Sequence, residues 1–269
     1  LQERGWHCVA ASHSEQVRDQ VPHEPHDVRL ERILTERGWI DARPPRGSER
    51  TAGVVLAGGR STRMGRPKEL LELAGIPMLR RVVETLHACC ERVFLVGDPS
   101  AEPLAAHFAT ELAQGSLILL RDPEPHAGPA VALAQALDRI DADLVFASGC
   151  DTPLLEPGLV RGLLALATSQ PGWDVVIPAP GDLLEPLLAV YRRAAVLPEL
   201  REATRDGPVS LQRLVERLRV RRVGNAGLAL LDPSSRSFLN VNSERDLAEA
   251  ARRAADAQWN AGTAVRSST

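Results

Sequence analysis

Lysine is almost missing from this chain of 269 residues. Lysine and arginine together number 32, and Lys68 is the single lysine among them. A bias in the coding sequence toward arginine explains most of this imbalance. The compact ammonium group of lysine and the planar guanidinium group of arginine are not interchangeable at every site. The retained Lys68 is therefore a candidate for a specific chemical role.

Several other features are missing from the sequence, and the absence of each excludes a class of protein. The formal net charge of −3 does not provide the basic excess that dedicated nucleic-acid-binding proteins carry. No apolar run approaches the roughly 18 residues that span a bilayer, and no secretory signal pattern opens the sequence. The four cysteines follow neither metal-ligand spacing nor a disulfide framework. We therefore expect a cytoplasmic protein without a nucleic-acid or membrane partner.

Residues 1–50 differ in composition from the rest of the chain. They are dense in charge, lack a sustained apolar run and show one helical pattern, around 27–36. The spacing of their histidines, His7, His13, His23 and His26, matches no standard metal site. We expect a poorly ordered N-terminal extension at 1–50 and a flexible C-terminal tail at 257–269.

From residue 52 onward, short apolar runs alternate with segments of helical periodicity. The apolar runs predict strands at 52–57, 92–97, 116–121, 143–148, 173–178, 186–191 and 219–223. The periodic segments predict helices at 77–90, 102–113, 129–140, 157–167, 194–205, 209–218 and from Ser243, where Ser-Glu-Arg-Asp is a capping-box pattern.

Four strand–helix units in succession predict a Rossmann-like α/β fold over residues 51–256. Such a fold is a three-layer sandwich with a mostly parallel central sheet. With only 3% aromatic residues, its core must be aliphatic. Ligands in these folds bind outside the carboxyl ends of the strands. That rule points to residues 57–68, 96–98, 122–128 and 149–153.

The run LAGGRSTRMGRPK at 56–68 follows the first strand of this domain directly. Gly58 and Gly59 let the backbone turn sharply and bring its N–H groups close to an anion. Arg60, Arg63 and Lys68 add three cations that suit a polyphosphate. The run is neither a Walker A loop nor a dinucleotide-binding pattern. It predicts a phosphate-binding loop; the alternative is an ordinary glycine turn with solvated arginines.

Asp151 lies just after the strand expected at 143–148. A carboxylate at the carboxyl end of a parallel strand can coordinate Mg²⁺, which draws triphosphate oxygens together. The alternative is a turn residue in the Asp-Thr-Pro sequence.

Four motifs together carry a resemblance to a known family. They are LAGGRSTRMG at 56–65 with Lys68, RDPEPHAGPA at 121–130, GCDTPLL at 149–155 and FLNVNSERDL at 238–247. The stretch EPLLAVYRR at 185–193 fits the same family. Over residues 52–250 the chain resembles the molybdenum cofactor guanylyltransferases, nucleotidyltransferases that transfer GMP from GTP–Mg to the molybdopterin cofactor and release pyrophosphate.

This resemblance implies a role for each residue that matches a family motif. The implied catalytic residues are Lys68, Arg63 and Asp151; Lys68 holds the phosphates, and Asp151 binds Mg²⁺, the implied cofactor. The implied nucleotide-binding residues are Leu56, Ala57, Gly58, Gly59, Lys68, Asp122 and Asp151. Asn240 and Asn242 match a loop that faces the pterin substrate or the metal. GTP and molybdopterin cofactor are the implied substrates, and molybdenum-cofactor delivery proteins and recipient enzymes are candidate partners.

Three positions differ from the family pattern: Pro67 stands where aspartate is common, Val96 where an asparagine contacts the nucleotide, and Ala132 where a second glycine follows Gly-Pro. These differences affect which nucleotide base the site would accept more than they affect the type of reaction. Two alternatives therefore remain: cytidylyl or other nucleotidyl transfer to the pterin or to another phosphorylated metabolite, and a nucleotide-binding module without catalysis.

Overall fold

A computed structural model of the chain describes residues 9–11, 32–35, 38–41, 49–57, 71–97, 108–121, 128–170, 172–205, 207 and 209–266. The chain divides into two compact units, Leu1–Glu49 and Arg50–Thr269. This division falls where the composition of the sequence changes. The poor order expected of residues 1–50 stays a prediction.

The first unit contains a small sheet of three strands. They are β1 (Val9–Ala11), β2 (Arg32–Thr35) and β3 (Gly38–Asp41); β1 pairs with β2 in parallel, and β2 pairs with β3 antiparallel. The helix expected around 27–36 is therefore wrong for Arg32–Thr35. Its sequence, Arg-Ile-Leu-Thr, carries two β-branched residues, and its pairing with Gly38–Asp41 outweighs a weak helical pattern.

The second unit contains every strand predicted from the apolar runs, each within two residues of its expected bounds. The strands of this unit are β4 (Thr51–Ala57), β5 (Glu72–Leu73), β6 (Ile76–Pro77), β7 (Arg92–Gly97), β8 (Leu117–Arg121), β9 (Leu144–Gly149), β10 (Val175–Pro178), β11 (Leu188–Arg192) and β12 (Val220–Val223). Seven of them form one sheet in the order β12-β10-β11-β9-β4-β7-β8.

This sheet is parallel except at β11, which runs antiparallel to both of its neighbours, β9 and β10. Parallel neighbours need a long crossover connection, whereas residues 179–187 join β10 to β11 without a helix long enough to cross the sheet. The chain therefore turns back on itself. As a result, the start of β11 lies at the same edge as the end of β9, with Leu188 opposite Ser148.

Helices cover both faces of the sheet. The helices among the described residues of this unit are α1 (Met78–His87), α2 (Ala109–Ala113), α3 (Pro129–Arg139), α4 (Pro157–Ser169), α5 (Arg193–Ala203), α6 (Leu211–Val215), α7 (Asn225–Leu231) and α8 (Glu244–Arg266). The sequence did not predict α7. None of the described helices is long and apolar enough to cross a lipid bilayer.

The core consists of two aliphatic layers separated by the sheet. Alternate residues of a strand face opposite sides. Accordingly, Val54 and Leu56 pack with α3, α5 and α6, whereas Val55 and Ala57 pack with α1, α4 and α7. Both layers are dominated by Leu, Val, Ile and Ala. The three-layer α/β sandwich with an aliphatic core is confirmed.

A third apolar cluster packs the last helix against the hairpin of β5 and β6. The hairpin of β5 and β6 turns at Ala74 and Gly75, both at positive φ, which suits a tight two-residue hairpin turn. Leu73 of this hairpin packs in one cluster with Leu154, Val241 and residues of α8. The segment that precedes α8 is thereby fixed near the end of β9.

The start of α8 can be compared with the predicted helix cap, and its end with the predicted C-terminal tail. The N–H of Asp246 donates to Ser243 Oγ at 3.2 Å, and Asp246 Oδ2 accepts from the N–H of Asn242 at 2.9 Å, which confirms the predicted cap. The helix then extends through Arg266, so residues 257–266 are helical, and the flexibility expected of the tail at 257–269 stays a prediction. Alanine has the highest helix propensity, and this alanine-rich sequence favours continuation of the helix.

Candidate active site

The end of β4 provides two of the predicted nucleotide-binding residues. Leu56 lies opposite Gly149 of β9 on one side and Val96 of β7 on the other. The side chains of Leu56 and Ala57 are buried in opposite core layers, so their backbone is the part presented at the sheet edge. Nucleotide contact through this backbone stays a prediction. Gly58, Gly59, Arg60, Arg63, Lys68 and Asp122 lie outside the described residues.

Asp151 occupies the turn that follows β9. Its carboxylate bends back over Gly149: a Cβ atom added there would lie 2.4 Å from Asp151 Oδ1. The turn is held by buried hydroxyl groups, since Ser148 Oγ donates to the Gly149 carbonyl at 3.0 Å and lies 3.1 Å from Thr152 Oγ1. The missing side chain at Gly149 thus leaves the space that the carboxylate uses.

A second segment, residues 240–242, lies directly beside Asp151. The N–H of Val241 donates to the Asp151 carbonyl at 2.8 Å, and the Val241 side chain is fully buried. Asn240, half-buried, faces a cavity next to Asp151, whereas Asn242 is exposed and adjoins the cap of α8. The structure therefore brings Asp151 and Asn240 together, although they are far apart in sequence. A role for either asparagine in substrate binding stays a prediction.

The cavity at this edge has a volume of about 300 Å³. One set of lining residues is polar: Asp151, Thr152, Glu185, Ser210, Gln212 and Asn240. The other set is apolar: Pro129, Pro186, Leu187, Leu188, Val209 and Leu211. Concave sites with apolar walls and a few convergent polar groups are typical of small-molecule binding.

Glu185 is a cavity residue to which the sequence assigned no role. It precedes β11, and the antiparallel direction of that strand carries it to the edge where Asp151 lies. Desolvation of its half-buried carboxyl group, together with the negative charge of Asp151, raises the pKa of Glu185 above its usual range. The stretch EPLLAVYRR contains Glu185 and is the sequence signal from which it could have been found.

Val96 stands where the family resemblance implies an asparagine that contacts the nucleotide. Its side chain is 3% exposed and packs in the core layer that also contains Leu56 and Phe94. It therefore offers no side-chain hydrogen bond to a base at this position.

The described residues at this edge fit a magnesium ion. Among the residues with described placement, no group of three or more His, Cys, Asp or Glu side chains is arranged to hold a metal ion. Mg²⁺, however, usually binds one or two protein carboxylates together with substrate phosphates and water. Asp151 satisfies that smaller requirement because its carboxylate lies at the sheet edge beside a cavity.

A family model and two relatives of known name all indicate the same protein family. A family model described as a MobA-like NTP transferase domain matches residues 53–223. The molybdenum cofactor guanylyltransferase of Desulfosudis oleivorans is 30% identical over 203 residues, covering 74% of this chain and 93% of the relative. A probable molybdenum cofactor guanylyltransferase of Chloroflexus aggregans is 34% identical over 205 residues, covering 73% of this chain and 91% of the relative.

The fold of this chain is also similar to that of a solved structure. The molybdopterin-guanine dinucleotide biosynthesis protein A of Archaeoglobus fulgidus has a TM-score of 0.65 and 25% identity, covering 76% of this chain and 99% of that protein. Together with the family match over most of the second unit, these similarities show that the chain belongs to the MobA-like family of nucleotidyltransferases.

Proposed function

We propose that this enzyme transfers GMP from GTP to the molybdopterin cofactor and releases pyrophosphate. The observation that carries the proposal is the position of Asp151. It lies at the sheet edge between the end of β4, where the nucleotide motif begins, and the cavity that contains Asn240. Membership of the MobA-like family and the names of the relatives support the same reaction.

The reaction is a direct transfer at the α-phosphorus of GTP. A phosphate oxygen of the molybdopterin cofactor forms a bond to this phosphorus, while the bond to the bridging oxygen of the leaving pyrophosphate breaks. Positioning and charge stabilisation account for most catalysis in such transfers. Asp151 would hold Mg²⁺, which supplies neutralisation of the phosphate charges when bound. Lys68 and Arg63 would hold the charge that moves onto pyrophosphate.

Replacement of the Asp151 carboxylate tests this proposal. Asp151→Asn keeps the size of the side chain but removes its charge, so we expect pyrophosphate release with GTP, Mg²⁺ and molybdopterin cofactor to fall about a hundredfold or more. Chelation of Mg²⁺ should stop the wild-type reaction, and added Mg²⁺ should restore it. Glu202→Gln, which alters an exposed carboxylate on α5, is the matched control. Near-normal turnover of Asp151→Asn would refute the proposed role.

Cytidylyl transfer to the same acceptor is a second candidate, favoured by the buried position of Val96. Parallel reactions with GTP, CTP, ATP and UTP separate the two candidates by the dinucleotide formed. Nucleotide binding without pyrophosphate release in every reaction would instead favour a binding module without catalysis.

The proposed setting is the cytoplasm, in agreement with cysteines that follow no disulfide framework. Proteins that deliver the molybdenum cofactor and enzymes that receive the product are the proposed protein partners. The proposal includes no nucleic-acid or membrane partner.

A further inference from the structure

Glu185 is placed to contact whatever occupies the cavity. Its half-buried carboxyl group lines the cavity together with Asp151 and Asn240. Within the described part of the chain, no side chain or backbone donor pairs with the Glu185 carboxyl group. A partly desolvated carboxylate is unfavourable unless it accepts hydrogen bonds. A ligand with N–H donors would supply them.

Three hydrogen bonds within the chain hold the backbone around Glu185. The N–H of Glu185 donates to the Pro178 carbonyl at 3.1 Å, and its carbonyl accepts from the N–H of Leu188 at 3.0 Å. The hydroxyl of Tyr191, a fully buried residue, donates to the Pro186 carbonyl at 2.7 Å. Tyr191 is therefore a positioning residue. These three hydrogen bonds hold the backbone of the Glu-Pro-Leu segment through contacts within the chain itself.

We propose that Glu185 determines the specificity for the pterin ring by accepting hydrogen bonds from its 2-amino group and the adjacent ring N–H. This inference rests on the proposed function. A carboxylate offers two acceptors in one plane, which match these two parallel donors. Pro186, Leu187 and Val209 provide apolar surface for the faces of a planar ring.

Guanine carries the same pair of donors, but the topology favours the pterin as the ligand of Glu185. The nucleotide motif follows β4, which pairs with β9 on one side of Asp151. Glu185 precedes β11, which pairs with β9 on the other side. The two substrates must meet at Asp151, so the cavity on the β11 side is assigned to the acceptor.

A comparison of two small ligands tests the contact directly. 6-Hydroxymethylpterin carries the 2-amino group, whereas 6-hydroxymethyllumazine carries a carbonyl oxygen in its place. The full-length wild type should bind the pterin about tenfold more tightly than the lumazine in calorimetric titration at neutral pH, because an oxygen would face the carboxylate. Glu185→Gln should reduce this preference to about twofold or less, since its amide offers one acceptor instead of two. Glu202→Gln should keep the wild-type preference.

Steady-state kinetics distinguish the pterin from the other ligands. In Glu185→Gln we expect the KM for molybdopterin cofactor to rise about tenfold and the KM for GTP to stay unchanged. A raised KM for GTP would assign Glu185 to guanine, and a raised Mg²⁺ requirement would assign it to the metal. Either outcome overturns the proposal.

The ligand test is independent of the proposed reaction, because binding is measured without turnover. An unchanged pterin preference in Glu185→Gln, or no binding of the pterin to the wild type at millimolar concentration, overturns the role of Glu185 alone. Loss of GMP transfer in every assay, with the pterin preference intact, would overturn the reaction alone. If Glu185→Gln does not fold, Glu185→Asp serves instead, because its shorter side chain should also lose the preference.

Discussion

At the scale of single residues, the site depends on two positions: Asp151, which carries a carboxylate, and Gly149, which has no side chain. Asp151 carries the carboxylate, but Gly149 provides the space into which that carboxylate bends. Nothing about Gly149 in the sequence distinguishes it from an ordinary strand-end glycine. Its importance follows from a contact between residues that are close in sequence but arranged by the turn after β9.

Gly149→Ala is expected to reduce activity without a large loss of stability. The added Cβ would lie 2.4 Å from Asp151 Oδ1, and the end of a flexible side chain moves away at little cost. Displacement of the carboxylate should lower the rate of pyrophosphate release by about tenfold to a hundredfold.

Gly172→Ala is the matched control, since nothing lies within 4 Å of a Cβ atom at Gly172. Its rate and thermal midpoint should both match the wild type. Equal activity of Gly149→Ala and Gly172→Ala would contradict the role assigned to the space at Gly149.

At the scale of secondary-structure elements, the reversal of β11 builds the cavity. If β11 were parallel to β9, its beginning would lie at the opposite edge of the sheet, and Glu185 would be far from Asp151. The end of the strand is also anchored: Arg192 Nη2 donates to the Ala167 carbonyl at 2.9 Å, and Arg193 Nε donates to the Leu137 carbonyl at 2.7 Å. The stretch EPLLAVYRR thus supplies one cavity residue and several structural contacts.

The edge of the sheet at β10 and β12 is stabilised by an ion pair. Asp174, just before β10, accepts from the backbone N–H of Arg219 at 3.0 Å and from its Nη2 atom at 2.6 Å. Asp174 is buried, whereas the Arg219 side chain is largely exposed. These hydrogen bonds from Arg219 hold the pKa of Asp174 below its usual range.

The contribution of Asp174 to stability should depend on pH. Because the folded-state pKa is lowered, the stabilisation is fully present above the unfolded-state pKa of about 3.9 and is lost as the pH falls through the folded-state pKa. At neutral pH we expect Asp174→Asn to lower the thermal midpoint by about 2–4 °C.

The difference in thermal midpoint between the wild type and Asp174→Asn should shrink when melts are recorded at progressively lower pH, below about pH 4. Asp182→Asn, at an exposed aspartate, is the control and should show no comparable difference. A difference that stays constant down to the acid limit would contradict the ion-pair explanation.

At the scale of the whole molecule, the second unit contains the complete α/β sandwich and all described site residues. Its first residue makes specific contacts: the N–H of Arg50 donates to Asp143 Oδ2 at 2.9 Å, and its Nη2 donates to Asp141 Oδ1 at 2.7 Å. The charge density of residues 1–50 and their lack of apolar periodicity predict that this segment is dispensable, and the contacts of Arg50 place the end of the dispensable part before that residue.

A protein truncated to residues 49–269 should fold and keep its activity. We expect its rate of pyrophosphate release to stay within about twofold of that of the full chain, since no proposed contact to substrate comes from residues 1–48. Circular dichroism melts and the pyrophosphate assay check both expectations. Failure to fold, or loss of activity in the folded protein, would show that the first unit contributes to the enzyme.

The sequence by itself determined the fold class, the strands of the sheet and the motifs that identify the family. These features are local: apolar runs of strand length, helical periodicity and short motifs are each readable within a few residues. It also placed Asp151 correctly at a strand end, because that position follows from the strand immediately before it.

Only the tertiary structure decided the direction of β11, the space at Gly149 and the meeting of Asp151, Glu185 and Asn240 at one cavity. Strand direction depends on how a connection crosses or reverses, and neighbours in a cavity depend on the order of strands in the sheet. Neither can be deduced from a pattern of a few residues, because both arise when segments distant in sequence pack together. The space at Gly149 instead depends on the backbone of the turn after β9, which brings Asp151 back over it.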